Sequence, residues 1–423
     1  MMRFCCALGR CSAVLILLLV TSWAMEGTRA QPAAVSDAPA VHDLRVDVGY
    51  LSSDLLQGRE TGTEGEQLAA QYLVERFREL GLSPGLDTSW AQSFTFTFSR
   101  NPHAPQGHGT SRTGRNVVAR LDRGADRTII VGAHYDHLGY GGVGSRAPGD
   151  SLIHNGADDN ASGVAAMLEI ARQLKAAEGL AHNVLFVGFS GEELGLYGSK
   201  HFVKALPVPA ERVNYMINLD MVGRLGEDRR LAVNGTGTSP AWDAALQAAA
   251  KATNVTLATT ASGLGASDHT SFYLEDIPAL HLFTGAHDDY HTPADDSHKI
   301  DYDGLRAVAT FAVRVIEQLD DDGALAFRET DDENQRRGMS FKVSLGIMPD
   351  YVFEGDGMRI DAVLDGPAAR NDFQEDDVIV RVGTTDVDDI YAYMDALKKL
   401  EPGDTATVVV RRGEETIEKE VTF

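Results

Sequence analysis

The chain has 423 residues, 43% hydrophobic and 24% charged, which is the chemistry of a folded globular protein and too long for one domain of ordinary size. Its formal net charge of −24 argues against nucleic acid or another polyanion as a partner and favours a soluble surface. All three cysteines, Cys5, Cys6 and Cys11, fall near the N-terminus, so a metal site elsewhere must draw on His, Asp and Glu.

Residues 1–30 read as a signal peptide. Arg3 and Arg10 supply the positive charge, Ala13 to Val20 the apolar core, and Thr28 and Ala30 the small residues before a cut. The apolar run is shorter than the ~20 residues that span a bilayer. A secreted or periplasmic protein with no retained transmembrane segment is therefore expected.

In chain order, helical spacing predicts an opening helix over Gly65 to Leu80. Strands follow near Asn116 to Leu121, Thr128 to Ala133, Asn183 to Ser190, Val213 to Leu219, Arg230 to Asn234 and Pro278 to Phe283. Helices over Ser162 to Ala177, Pro240 to Ala252 and Tyr302 to Leu319 alternate with them. This alternation predicts an α/β domain over residues 31–325, a mixed, mostly parallel sheet flanked by helices. Residues 326–338 read as an acidic linker, and 339–423 as a small β-rich domain closed by a hairpin, Thr405 to Arg411 and Thr416 to Phe423.

Acids and imidazoles gather where this pattern turns from strand to loop. Gly132 to Gly139 (GAHYDHLG) places His134 and Asp136 directly after an apolar strand, and in open α/β sheets sites form beyond strand carboxyl ends. Asp158 and Asp159 stand side by side in GADDNASG before a helix, where capping by Asp or Asn is the simpler use. Their mutual repulsion nevertheless calls for a cation or solvent to offset it. Glu192 and Glu193 follow a third strand, Asp220 closes a fourth, and His291 lies beyond another.

Residues so far apart in sequence converge only if the fold gathers strand ends, as a mostly parallel sheet does. The resulting set of two His and three carboxylates, with Asp158 as the shared ligand, suits Zn²⁺ and leaves Mn²⁺ or Co²⁺ open. Paired ions polarise a carbonyl and lower the pKa of a shared water to give hydroxide near neutral pH. Neighbouring acids rarely aim at one atom, so Glu193 is assigned to metal and Glu192 to the proton, as general base and then acid.

These clusters, in this order, resemble the aminopeptidase Y and bacterial leucyl aminopeptidase type of co-catalytic dizinc peptidases, metallopeptidase family twenty-eight, over residues 45 to 320. The resemblance implies a secreted aminopeptidase acting on peptides with a free N-terminus. One zinc would sit on His134, Asp158 and Asp220, and a second on Asp158, Glu193 and His291. It further implies that Asp136 steadies His134, that Asp295 stands near the second His, and that a cis peptide follows the bridging Asp, here Asp158–Asp159. Ser267 in GASDHTSF matches a substrate or oxyanion contact, although Leu264 stands where an aromatic residue is expected.

The C-terminal domain resembles a PDZ domain. Ser344 to Asp350 (SLGIMPD) matches its carboxylate-binding loop and Gly357 to Ala369 its second strand region, with an acidic insert at Asn371 to Asp377. Such domains take chain ends by strand addition, so a C-terminal peptide is the implied ligand. Two alternatives to the peptidase stand beside it: a glutaminyl cyclase-like transferase, which shares the sheet and typically uses one zinc, and an inactive binding protein on the same scaffold.

Overall fold

The computed structural model describes residues 37–98, 109–141, 144–147, 151–320, 323–330, 343–349, 356–363, 366–388, 390–413 and 415–423. The expected signal peptide, its cysteines, residues 331–338 of the expected linker, and Asp350 lie outside the described residues. By its contacts the chain divides into Met1–Asp37 and Ala38–Phe423, and both of its sheets belong to the second unit. Among the described residues no helix is long and apolar enough to cross a membrane.

The larger region is built on one nine-stranded sheet. Its strands are β1 (Ser83–Pro84), β2 (Ala91–Phe98), β3 (Thr110–Leu121), β4 (Thr128–His134), β5 (Asn183–Phe189), β6 (Val213–Leu219), β7 (Arg230–Asn234), β8 (Thr256–Thr260) and β9 (Ala279–Phe283). They lie in the order β1-β3-β5-β4-β6-β9-β7-β8, with β2 paired to β3. The centre, β5-β4-β6-β9, is parallel throughout, and the β3–β5 and β9–β7 pairings are antiparallel.

All seven residues of β4, of β5 and of β6 are buried. That follows from helices covering both faces, which explains why these strands read as unbroken apolar runs. One face packs α1 (Asp37–Leu51), α2 (Glu64–Glu79), α3 (Gly163–Ala176), α5 (Trp242–Thr253) and α7 (Tyr302–Gln318) around Phe77, Phe186, Tyr215 and Trp242. The other packs α4 (Tyr197–Lys204) and α6 (His269–Tyr273) around Phe189, Phe202 and Phe272. A fully buried Phe of this kind contributes about 2–3 kcal/mol of transfer free energy.

The helix ends follow their sequences. Thr63 accepts from the Glu66 N–H at the start of α2, and Asp301 accepts from the Gly304 N–H at 2.9 Å at the start of α7. Glu66 turns inward instead of completing a capping box. Its Oε1 takes hydrogen bonds from Arg115 N, Tyr135 Oη and Ser190 Oγ at 3.0–3.1 Å, tying α2 to the ends of β4 and β5.

The described part of the expected linker is held against this domain. Leu325, the last residue of the expected domain, joins the core; within the linker Arg328 N bonds Thr238 O at 2.8 Å, and the Thr330 hydroxyl meets Tyr273 Oη at 2.8 Å. The domain's packing therefore continues to Thr330, five residues past the boundary read from charge.

The C-terminal region forms its own antiparallel sheet from β10 (Ile347–Pro349), β11 (Met358–Val363), β12 (Val378–Val382), β13 (Thr385–Asp386), β14 (Thr405–Arg412) and β15 (Glu415–Thr422). The hairpin β14–β15 keeps an unbroken register from Thr405↔Thr422 to Arg412↔Glu415. With α8 (Pro367–Arg370) and α9 (Ile390–Lys398) it encloses Leu345, Ile360, Ile379, Val408 and Val410. The acidic insert has a structural use: buried Asp377 pairs with Arg412 at 2.6 and 2.8 Å.

Candidate metal centre

The carboxyl ends of β4, β5, β6 and β9 open on one edge of the sheet, and the expected residues gather there. His134 is the last residue of β4, Asp220 follows β6, and the loop after β5 carries Glu192 and Glu193. His291 comes from the loop after β9, where its φ of +55° is a left-handed conformation uncommon for a residue with a side chain.

At the Asp pair the structure corrects the reading. Asp159, not Asp158, lies between the two imidazoles: its Oδ1 is 3.2 Å from His134 Nε2 and its Oδ2 is 3.0 Å from His291 Nε2. Asp158 turns the other way. Its Oδ1 accepts from Gly223 N at 2.7 Å and its Oδ2 meets His287 Nε2 at 3.0 Å. The reason is local backbone: Asp159 and Asn160 leave helical geometry (φ −104°, ψ 92° and φ −133°, ψ 41°), so adjacent side chains diverge. The cis peptide is Asp159–Asn160, one bond later than expected. Gly156 opens the segment at φ +55°, and a β-carbon there would collide with Asp159 O and the His137 ring.

The remaining contacts form two halves around Asp159. On one side His134 Nε2 also stands 3.2 Å from Asp220 Oδ1, while Asp220 Oδ2 accepts from Ser267 Oγ at 2.6 Å. Ser267 in turn accepts from Asn218 Nδ2 at 2.7 Å. On the other side Glu193 Oε2 is 3.1 Å from His291 Nε2, and His291 Nδ1 donates to Gly144 O at 2.7 Å, which fixes its ring. Among the described residues, His134, Asp159 and Glu193 form a group whose ligand atoms all lie within 4.8 Å of one another.

Around these lie the supports. Asp136 Oδ1 is 3.7 Å from His134 Nδ1 and accepts from Glu192 N at 3.3 Å; its Oδ2 accepts from Thr61 Oγ1 at 2.8 Å. Asp295 is fully buried and acts on the bridging segment, not on the second imidazole: its Oδ2 accepts from both Asp158 N (2.8 Å) and Asp159 N (3.0 Å). Its Oδ1 meets Arg224 at 3.3 Å.

Reasoning from sequence missed Asp159's place and overlooked His137, Thr61 and Arg59. His137 is fully buried, with Nδ1 2.6 Å from Glu193 Oε1. Its position in GAHYDHLG, three residues after His134, was the available signal. Leu264 is buried and supplies no aromatic contact. Tyr290 brings an aromatic ring to the site from another direction, stacked on His291 with centroids 3.8 Å apart.

The electrostatics show how strongly this cluster demands positive charge. Although burial alone would lower it, Glu193 and Asp159 hold the His291 imidazole up at about 10, and Asp220 and Glu192 raise His134 well above its usual value. Burial would raise Glu193, yet His291 and His137 bring it down to about 2. Glu192 goes the other way, pushed well above the carboxylate range by burial and by Asp220, Glu193 and Asp268. One acid of the pair is thus built to stay ionised and its neighbour to carry a proton.

A model described as Peptidase family M28 matches residues 116–316, and one described as PDZ domain matches residues 338–423. Aminopeptidase YwaD of Bacillus subtilis (strain 168) is 33% identical over 190 residues, a stretch taking in 42% of this chain and 38% of that protein. The structure resembles that of BSAP, a zinc aminopeptidase from Bacillus subtilis, with a TM-score of 0.53 at 19% identity, covering 67% of this chain and 96% of that one. It resembles Porphyromonas gingivalis glutaminyl cyclase equally well, with a TM-score of 0.54 at 21% identity over 66% and 98% of the two chains. At such identities the structural likeness is one of fold. The chain spans less than two thirds of the length of the curated relatives it matches.

Proposed function

We propose, from the premise that this chain belongs to peptidase family M28 and ends in a PDZ domain, that it is a zinc-dependent aminopeptidase acting on peptides with a free N-terminus. The observation that carries the reading is Asp159 set between His134 and His291, offering a different oxygen to each.

The residues fit a pair of cations. A tetrahedral ion with bonds of about 2.0–2.1 Å holds its ligand atoms about 3.3 Å apart. The separations of 3.2, 3.2, 3.0 and 3.1 Å among His134, Asp159, Asp220, His291 and Glu193 lie at that spacing. In the proposed assignment His134, Asp159 and Asp220 hold one zinc, and Asp159, Glu193 and His291 hold the other. Bound there, two cations would polarise a substrate carbonyl and lower the pKa of a water held at the site.

The chain's own residues then carry the proton. Glu192 takes it from the attacking water and delivers it to the departing amine, and its raised pKa suits both halves of that task. Asp136 anchors the Glu192 backbone and the His134 side together. Export belongs to the same proposal and rests on the leader-like composition of residues 1–30.

A second reading, a glutaminyl cyclase-like transferase, is favoured by the fold likeness to the Porphyromonas enzyme. One experiment separates them. Zinc content is measured beside mass analysis of peptides with free, blocked and glutaminyl N-termini. About two zinc per chain with stepwise loss of free N-terminal residues is expected; one zinc with a cyclised glutaminyl product would overturn the proposal.

A further inference from the structure

Arg59 is completely buried, at 0% exposure, and among the described residues it makes no ion pair. It ends a short 3₁₀ turn, Asp54–Arg59, in which Gln57, Gly58 and Arg59 all take positive φ (49°, 71° and 52°). Gly58 has no room for a β-carbon, which would strike Gly139 O and His154 O. This tight, left-handed turn sends the Arg59 side chain inward, beneath the metal centre.

The guanidinium fork ends on backbone carbonyls alone. Nε donates to Tyr135 O at 2.8 Å, Nη1 to Leu51 O at 2.7 Å and Asn155 O at 2.5 Å, and Nη2 to Gly156 O at 3.0 Å and Asp159 O at 3.5 Å. Tyr135 sits between His134 and Asp136; Asn155, Gly156 and Asp159 belong to the segment carrying the shared carboxylate. Four of the five acceptors therefore lie in the two loops whose spacing defines the site.

A buried cation without a paired anion is costly. Here burial does depress Arg59, to about 10, but Asp159, Asp136, Asp295 and Glu193 keep it charged. The same carboxylates gain a buried positive charge in return.

We propose that Arg59 is a positioning residue of the metal centre, clamping the loop of His134 and Asp136 to the loop of Asp159 at the distance two cations require. The inference rests on the dizinc reading above. A lysine would keep the charge, yet one ammonium cannot span both loops as a planar fork does. A methionine would remove the charge as well.

The test compares zinc affinity of full-length wild type, Arg59→Lys and Arg59→Met by competition with a chromogenic chelator, alongside kcat, KM and thermal unfolding. Arg59→Lys is expected to bind zinc about 10- to 100-fold more weakly and to lose kcat on the same scale, as for other supports of metal ligands, with KM within about twofold. Arg59→Met is expected to lose more. Wild-type zinc affinity and kcat in Arg59→Lys, with only a lowered Tm, would overturn the proposal. Should neither variant fold, hydrogen exchange on metal-free wild type decides: residues 54–59, 135–137 and 155–160 should stay protected as one unit. Exposure of 155–160 alone on zinc removal would refute the clamp. Failure of wild type to hold zinc would instead sink the dizinc reading itself.

Discussion

Asp158–Asp159 and Glu192–Glu193 are two pairs of adjacent acids that look alike in sequence, and in each the second member faces His291 while the first does something else. The first members part company. Glu192 remains in the cluster, in the field of Asp220 and His134, whereas Asp158 is drawn away to Gly223 N and His287. The difference is one of backbone. Glu192 and Glu193 hang from a loop just beyond a fully buried strand, so both stay at its edge. The Asp pair lies in a segment that breaks helical geometry and is held at its amides by Asp295. Adjacent carboxylates are thus told apart by the backbone that carries them, and not by their spacing.

The sharpest way to break this comparison is to neutralise the second members. Asp159→Asn and Glu193→Gln should each lose zinc and lower kcat/KM by roughly 10³-fold or more, the scale on which members of one catalytic unit fail. Zinc content by mass spectrometry checks the cause. Full zinc occupancy in Asp159→Asn would return the bridging role to Asp158.

Neutralising the first members should separate them from each other. Glu192→Gln is expected to keep its zinc while kcat falls about 10²- to 10⁴-fold, since it removes a proton carrier and leaves the ligands intact. Loss of zinc from that variant would mean the Glu roles are exchanged. Asp158→Asn should cost about tenfold, because an outer support of Asp159 and its neighbours is weakened while every proposed ligand stays. A larger loss than in Asp159→Asn would end the distinction between the two aspartates.

Much of this is legible in the sequence. The apolar runs of β4, β5 and β6 announce buried parallel strands, and parallel strands bring their carboxyl ends to one edge, so His134, Glu193, Asp220 and His291 can be grouped from distant positions. The features that escape such a reading have a common physical character. Asp159's place depends on dihedral angles that no periodicity encodes. Arg59 works through its contacts with backbone carbonyls, which carry no residue signature, and lies in a turn whose left-handed run only its single glycine hints at. His137 is hidden by proximity to His134. The packed residues 326–330 read as linker because the charged run that follows them outweighs the few side chains, Phe327 and Thr330, that hold them down.

The smallest expected effect is a pH dependence of the metal-free protein, and it probes the feature both pairs share. Asp159 and Glu193 raise His291 to about 10, above the ~6.5 of an unfolded chain. The folded state then binds a proton that the unfolded state releases across that window, so stability must fall as pH rises. This contribution is fully present below about pH 6.5 and lost as pH passes about 10. Burial of a protonated Glu192 acts in the same sense, since its raised pKa also makes the folded state the better proton acceptor above the usual carboxylate range. Glu193, lowered to about 2, has the opposite dependence, but its contribution is already complete above about pH 4.5 and adds no slope here. Thermal unfolding of chelator-treated protein should therefore give a Tm that declines steadily from pH 6.5 to 10. The decline should shrink in Glu193→Gln, where His291 loses one of its two carboxylate partners. It should be nearly unchanged in Asp158→Asn, which does not touch His291. A flat or rising Tm in the metal-free wild type would mean the imidazole is not held between the two second members at all.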